Sequence, residues 1–281
     1  MTHIPFRKMH GLGNDFVVLD ARRDALAIDA ATARAIADRR TGIGCDQLIL
    51  IEPPRDPAAT VLMRILNADG REAEACGNGT RCIARLVADE TGADRVCIET
   101  AAGLLEAEHM QAGTIAVDVG SARTGWQDIP LARKMDTDRV DLALGPLREP
   151  VCTSMGNPHA TFFVPDVEAV DLAALGPRLE HDPLFPERAN IGAAAVLDRE
   201  HIRLRVWERG AGITRACGTG ACAALVAAAR RGLTGRHAQV VLDGGALDIF
   251  WREDGHVIMS GPAVLAFEGS FDTALLAGSD R

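Results

Sequence analysis

The chain has 281 residues, 47% of them apolar and 25% charged, which is the balance of a soluble globular protein with room for one large domain or two ordinary ones. Its net charge of -9 leaves no basic excess to displace counterions, so neither nucleic acid nor an anionic membrane is an expected partner. The chain has no run of about 18 apolar residues, so no membrane span is expected, and the opening MTHIPFRKMHGLGND has no signal-peptide stretch, so the expected location is the cytoplasm.

The first strand-like run follows Gly13-Asn14 in GLGNDFVVLD. Ala30 to Arg40, rich in Ala and Arg, predicts a helix. A second apolar run follows Gln47 in RTGIGCDQLILIE, and Val61 to Leu66 predicts a strand. Then ACGNG opens a helical stretch from Thr80 to Glu90, with Gly92 placed to cap its end. Thr114 to Val119 is a short strand candidate, and the stretch from about Gly120 to Leu131 a connector.

The second half runs through the same series. Gly156-Asn157 stands before the apolar run of SMGNPHATFFV, and Asn190 before that of PERANIGAAAVLD. Ile202 to Trp207 predicts a strand, and ACGTG opens a helix from Ala221 to Arg231 that stops near Gly232. Val240 to Leu242 and His256 to Met259 are further short strand candidates. Asn157 follows Asn14 by 143 residues, Asn190 follows Gln47 by 143, and Cys217 follows Cys76 by 141. A repeat of that length is a duplicated domain, not a solenoid unit. The expected fold is α+β: two pseudo-symmetric halves, each a curled, mainly antiparallel sheet around a central helix. The active site is expected in the cleft between them. The halves are expected at 1–120, joined by the tail 264–281, and at 121–263.

The seven cysteines are too sparse and too odd in number for a disulfide framework. Cys76/Cys82 and Cys217/Cys222 lack the spacings of a zinc knuckle, so no metal is expected. Cys45, Cys97 and Cys152 fit the role of small apolar core residues. Cys76 and Cys217 stand apart, each at a strand-to-helix turn in a Cys-Gly-x-Gly segment. Unpaired N–H groups and the helix dipole at such a start bind anions. They also favour a thiolate, lowering a thiol from about 8.5 to about 3.5–7.5 in strong cases. Two such starts facing each other would hold an α-carboxylate with its α-carbon between two sulfurs. One sulfur would take the proton and the other return one to the opposite face, which inverts the carbon by general acid–base chemistry. Neither loop continues as a phosphate-binding motif, and no cofactor is expected.

GLGNDFVVLD, TGIGCDQLI, NADGREAEACGNGTRC, SMGNPHATFFV, RANIGAA and WERGAGITRACGTGACA resemble, in order and almost end to end, the motifs of the diaminopimelate epimerase family. That family converts LL-2,6-diaminopimelate to the meso form for lysine and peptidoglycan synthesis, without pyridoxal phosphate or metal. The resemblance implies that Cys76 and Cys217 are the acid/base pair. It implies that the backbone N–H groups of Gly77, Asn78, Gly218 and Thr219 surround the reacting carboxylate. Asn14, Gln47, Asn67, Asn157, Asn190, Glu208 and Arg209 would line the rest of the substrate site, with Arg209 set for the distal carboxylate. His159 and Glu208 would adjust the ionisation of the thiols. A homodimer is also implied, although the chain has no tyrosine and carries Phe267 at the expected dimer contact. Leu66, Trp207 and Ile213 are further departures from common family residues. Two alternatives stay open: a histidine- or proline-type racemase of the same fold, and a non-enzymatic amino-acid-binding protein.

Overall fold

The computed structural model describes residues 3–73, 76–110 and 113–272. Internal packing divides the chain into one unit of Met1–Val117 with Gly261–Arg281, described as far as Asp272, and a second of Asp118–Ser260. Residues 273–281 of the expected tail lie outside the described residues.

The first unit opens with β1 (His3–Gly11) and β2 (Asn14–Asp20), an antiparallel hairpin. Helix α1 (Ala30–Ala37) then crosses over, so that β3 (Gln47–Glu52) runs parallel to β2, as a parallel pair requires. Strand β4 (Val61–Asn67) pairs antiparallel with β3 and with the short β5 (Glu72–Ala73). After α2 (Gly77–Thr91), β6 (Arg95–Thr100) lies parallel to β4, and β7 (Gly103–His109) and β8 (Thr114–Ser121) follow antiparallel. Asp29 caps α1 by accepting from Thr32 N–H at 2.8 Å, and Gly92 ends α2 in the left-handed conformation at φ 72°.

The second unit begins with a small hairpin, β9 (Ala143–Leu144) and β10 (Leu147–Arg148). It then repeats the first unit element for element. The series is β11 (Val151–Ser154), β12 (Pro158–Phe163), α3 (Leu172–Glu180), β13 (Asn190–Val196), β14 (His201–Glu208), β15 (Gly212–Ile213), α4 (Gly218–Arg230), β16 (His237–Leu242), β17 (Gly245–Trp251) and β18 (His256–Pro262). The pairings match as well: β12 is parallel to β13 and β14 to β16, with the other neighbours antiparallel. The last strand, β19 (Val264–Asp272), pairs antiparallel with β1 in the first unit. The two halves therefore share one topology.

Each half buries its central helix. All but three of the residues of α4 are buried, and its small side chains let the sheet close around it. Ile49 of β3 reaches α2 so closely that a Cβ on Gly79 would stand 2.9 Å from its Cδ1. The other face of each sheet is also covered. Leu48 and Leu50 pack with Ala33 and Ile36 of α1, and Ile191 and Ala193 with Leu172 and Leu179 of α3. Strands buried on both faces explain the near-continuous apolar runs in QLILIE and NIGAAAV. The segment expected to be a connector, about Gly120 to Leu131, has no helix or strand beyond Ser121, and its Ile129 and Leu131 are buried in the core of the second unit.

Candidate active site

In the first unit the site gathers around the start of α2. Cys76 is the N-cap residue, extended at φ -147° and ψ 106°, and its Sγ accepts from Gly79 N–H at 3.4 Å. Cys76 Sγ lies 3.8 Å from Asn14 Oδ1, which also accepts from Asn78 Nδ2 at 3.1 Å. The hairpin turn before Asn14 has both central residues at positive φ, Leu12 at 55° and Gly13 at 86°, as a tight two-residue loop demands. Asn14 Nδ2 donates to Asp46 Oδ2 at 3.0 Å, and Arg81 Nη2 donates to Asn78 Oδ1 at 2.8 Å. Both amides are thereby fixed in orientation, and Asn14 turns an acceptor toward the thiol. Gln47 Nε2 donates to Asn67 Oδ1 at 2.9 Å across the β3–β4 register, while Gln47 Oε1 is buried without a protein partner among the described residues.

Asp46 and Arg81 escaped sequence reasoning. Asp46 belongs to a carboxylate pair with Asp15, bridged by Arg39 and joined by Lys8. Burial alone would raise Asp15, but hydrogen bonds from Arg39 and Lys8 hold it well below the usual carboxylate range. Arg81 is fully buried. An arginine one turn into a helix looks like a surface residue, and only its neighbourhood to Asn78, three positions back, hinted at more.

In the second unit the site gathers around the start of α4. Cys217 is its N-cap residue, 3% exposed, with Sγ 3.7 Å from Thr219 Oγ1. Thr219 Oγ1 accepts from Asn157 Nδ2 at 3.3 Å and stands 3.1 Å from His159 Nε2. The same ring nitrogen lies 3.0 Å from Asn157 Oδ1, which can only accept, so Nε2 carries the proton of a neutral His159. Burial, helped by the charge of Arg209, pushes His159 down to about 3. Glu208 accepts from the Thr214 hydroxyl and is hydrogen-bonded to Cys217. Burial raises Glu208 despite both contacts. Asn190 donates to the Pro158 carbonyl and accepts from Arg209 N–H, each at 2.9 Å, and Arg209 Nη1 donates to the Glu187 carbonyl at 2.9 Å.

The thiolate expected from the helix start is not what surrounds Cys217. Burial and the neighbouring Glu208 push its thiol well above the ordinary value, and the hydrogen bonds from Gly220 N–H and Thr219 do not offset them. A helix dipole is a partial charge in the first turn, whereas a buried sulfur loses its whole hydration shell. Cys217 therefore rests as a thiol. Cys45 and Cys152 are buried, with thiols pushed up to about 11 and about 12 by burial, and behave as core residues. Cys97 is half-buried and also raised. Among the described residues, Cys45, Cys82, Cys97, Cys152 and Cys217 form no disulfide. Among the described residues no group of three His, Cys, Asp or Glu is placed to hold a metal, and no helix is long and apolar enough to cross a membrane.

The first unit brings together Asn14, Cys76, Gly77 and Asn78, with Gln47 and Asn67 paired to each other, and the second brings together Asn157, His159, Asn190, Glu208, Arg209, Cys217, Gly218 and Thr219. The duplication is chemically unequal. Asn67 matches Glu208 and Phe16 matches His159, so these two titratable residues of the Cys217 site have uncharged counterparts in the first unit.

Several solved structures share this fold. A predicted epimerase from Pseudomonas aeruginosa is 21% identical with a TM-score of 0.68, over 95% of this chain and 99% of that one. A hydroxyproline epimerase from Agrobacterium vitis, solved with bound trans-4-hydroxy-L-proline, is 15% identical with a TM-score of 0.68, over 98% and 95%. The sequence profile described as diaminopimelate epimerase matches residues 6–125 and 151–266. The diaminopimelate epimerase of Rhodospirillum centenum is 63% identical over 98% of this chain and 94% of its own length, and that of Acidiphilium cryptum 59% over 97% and 98%. The chain belongs to the diaminopimelate epimerase family, and so to the isomerases.

Proposed function

We propose that the protein epimerises LL-2,6-diaminopimelate to meso-diaminopimelate by two-base chemistry with no cofactor. The observation that carries this reading is the duplicated cysteine, in each half the N-cap of a buried helix. One cysteine, as thiolate, takes the α-proton. The electron pair passes into the α-carboxylate, where the N–H groups of Gly77, Asn78, Gly218 and Thr219 stabilise the added charge. The other cysteine, as thiol, delivers its proton to the opposite face and is left as thiolate, so protons and charge balance over the turnover. The reverse direction exchanges the two roles.

The thiol character of Cys217 supports its role as proton donor in one direction. Glu208, hydrogen-bonded to Cys217, is its acceptor in the other, taking the thiol proton so that Cys217 can act as the thiolate base. His159 and Thr219 keep that environment neutral and ordered. Asn14, Gln47, Asn67, Asn157 and Asn190 orient the substrate, and Arg209 binds the distal carboxylate. The enzyme works as a homodimer in the cytoplasm, a reducing compartment that suits its sparse, odd-numbered cysteines. The exposed Leu265 and Phe267 on β19 support a subunit contact.

Turnover of each stereoisomer in deuterated water tests the mechanism. Solvent deuterium should enter the product at once, with little in recovered substrate. Cys76→Ala and Cys217→Ala should each abolish epimerisation, and substantial turnover by either variant would refute the two-cysteine reading.

A further inference from the structure

Glu180, the last residue of α3, is 2% exposed. A buried carboxylate persists only where donors meet it. Its Oε2 accepts from Trp207 Nε1 at 2.7 Å, and its Oε1 accepts from Gly210 N–H at 3.0 Å, with Arg188 Nη1 at 3.5 Å. Trp207 and Gly210 bracket Glu208 and Arg209, so one carboxylate grips the β14–β15 turn on both sides of that pair. Gly176, one turn earlier in α3, brings the helix flat against the indole: a Cβ there would stand 2.5 Å from Trp207 Cγ. From the other direction Asn190 and the Glu187 carbonyl hold Arg209.

The duplication supplies an internal comparison. At the matching places the first half has Ala37 for Glu180 and Leu66 for Trp207, and these pack in one apolar core. The residue after Leu66 is Asn67, where the second half has Glu208. The polar clamp thus occurs in the half with the charged functional pair, whereas the half with neutral amides fills the same space with apolar side chains.

We propose that Glu180 is a positioning residue for the reaction, its carboxylate clamping the β14–β15 turn so that Glu208 and Arg209 meet the substrate in fixed geometry. This rests on the function proposed above, which gives the clamp its purpose. Glutamine has the same shape but one acceptor oxygen. In Glu180→Gln either the indole N–H or Gly210 N–H must face an amide NH₂.

The test uses the full-length chain. Glu180→Gln should lower kcat/KM for diaminopimelate about tenfold or more, since small misplacements near reacting groups cost that much. KM should rise through Arg209, and the pH profile should move through Glu208. Trp207→Phe removes only the indole donor and should cause a smaller loss in the same direction. Glu180→Gln should cost less in the Trp207→Phe background than alone, because the amide oxygen then has only Gly210 N–H to satisfy. Amide hydrogen exchange at Gly210 should quicken in Glu180→Gln without any substrate. A folded Glu180→Gln protein with wild-type KM, kcat, pH profile and Gly210 exchange would overturn the clamp, and so would strict additivity of the two substitutions. A wild-type protein that fails to interconvert diaminopimelate stereoisomers would instead overturn the proposed function, a result distinct from an active wild type beside an unaffected variant.

Discussion

His159 offers a stability measurement that depends on the burial at the heart of the site. Its imidazole is held down to about 3 from an ordinary value of 6.5, chiefly by burial. Above pH 6.5 both folded and unfolded chains keep it neutral, and the protein has its full stability from this group. As pH falls below 6.5 the unfolded chain takes up a proton that the folded chain refuses, so stability is lost progressively until about pH 3. Each tenfold difference in proton affinity between the two states corresponds to about 1.4 kcal/mol. Between pH 7 and pH 5 the loss from this one residue comes to about 2 kcal/mol. Over the whole interval it approaches about 5 kcal/mol. His159→Gln removes the titration while keeping an amide near Asn157 and Thr219. Urea unfolding of both proteins at pH 7 and pH 5 measures the difference, since every other titrating group is common to the two. The variant should lose about 2 kcal/mol less than the wild type over that interval. Equal losses would show that His159 is protonated in the folded protein, and the account of a neutral, Nε2-protonated ring beside Thr219 would fall.

Three further outcomes are expected. In Gly220→Ala the new Cβ would stand 3.0 Å from Val206 Cγ2 and 3.1 Å from Cys217 Sγ, so kcat should fall sharply at a folding cost of about 1–3 kcal/mol; a wild-type kcat would contradict the close packing of that sulfur. Arg209→Ala should weaken discrimination for diaminopimelate over monocarboxylic amino acids by about 1.5–3 kcal/mol, the worth of one charged hydrogen bond, as read from kcat/KM ratios; an unchanged preference would remove Arg209 from the distal carboxylate. Alkylation of Cys217 in the free enzyme should be slow at neutral pH and accelerate only in alkaline solution, because its thiol is raised. Rapid labelling at pH 7, located by peptide mass mapping, would restore the thiolate expected from the helix start alone.

Much of the molecule is legible in the order of its residues. The duplication appears as landmarks at a nearly constant spacing, because two copies of one fold need the same turns before the same strands. Cys76 and Cys217 stand out because Cys-Gly-x-Gly ahead of a helical stretch is a local arrangement, and local backbone preferences are written in neighbouring residues. The helices α2 and α4 and the strands β4 and β14 follow from short-range patterns in the same way. Helix α3 does not, since LAALGPRLE carries Gly and Pro at its centre, and only the packing of Leu172 and Leu179 into a core overrides their poor propensity. The tail is expected with the first half, but the register in which β19 pairs with β1 joins residues far apart in sequence, and no local signal sets it. Tertiary structure alone also decides the electrostatics. Arg81 is hidden beside Asn78, Glu180 meets an indole 27 positions away, and burial with Glu208 turns Cys217 from an expected thiolate into a thiol. The physical reason is common to all three: the cost of a charge depends on how much water surrounds it, and that is set by residues distant in sequence that the fold brings close.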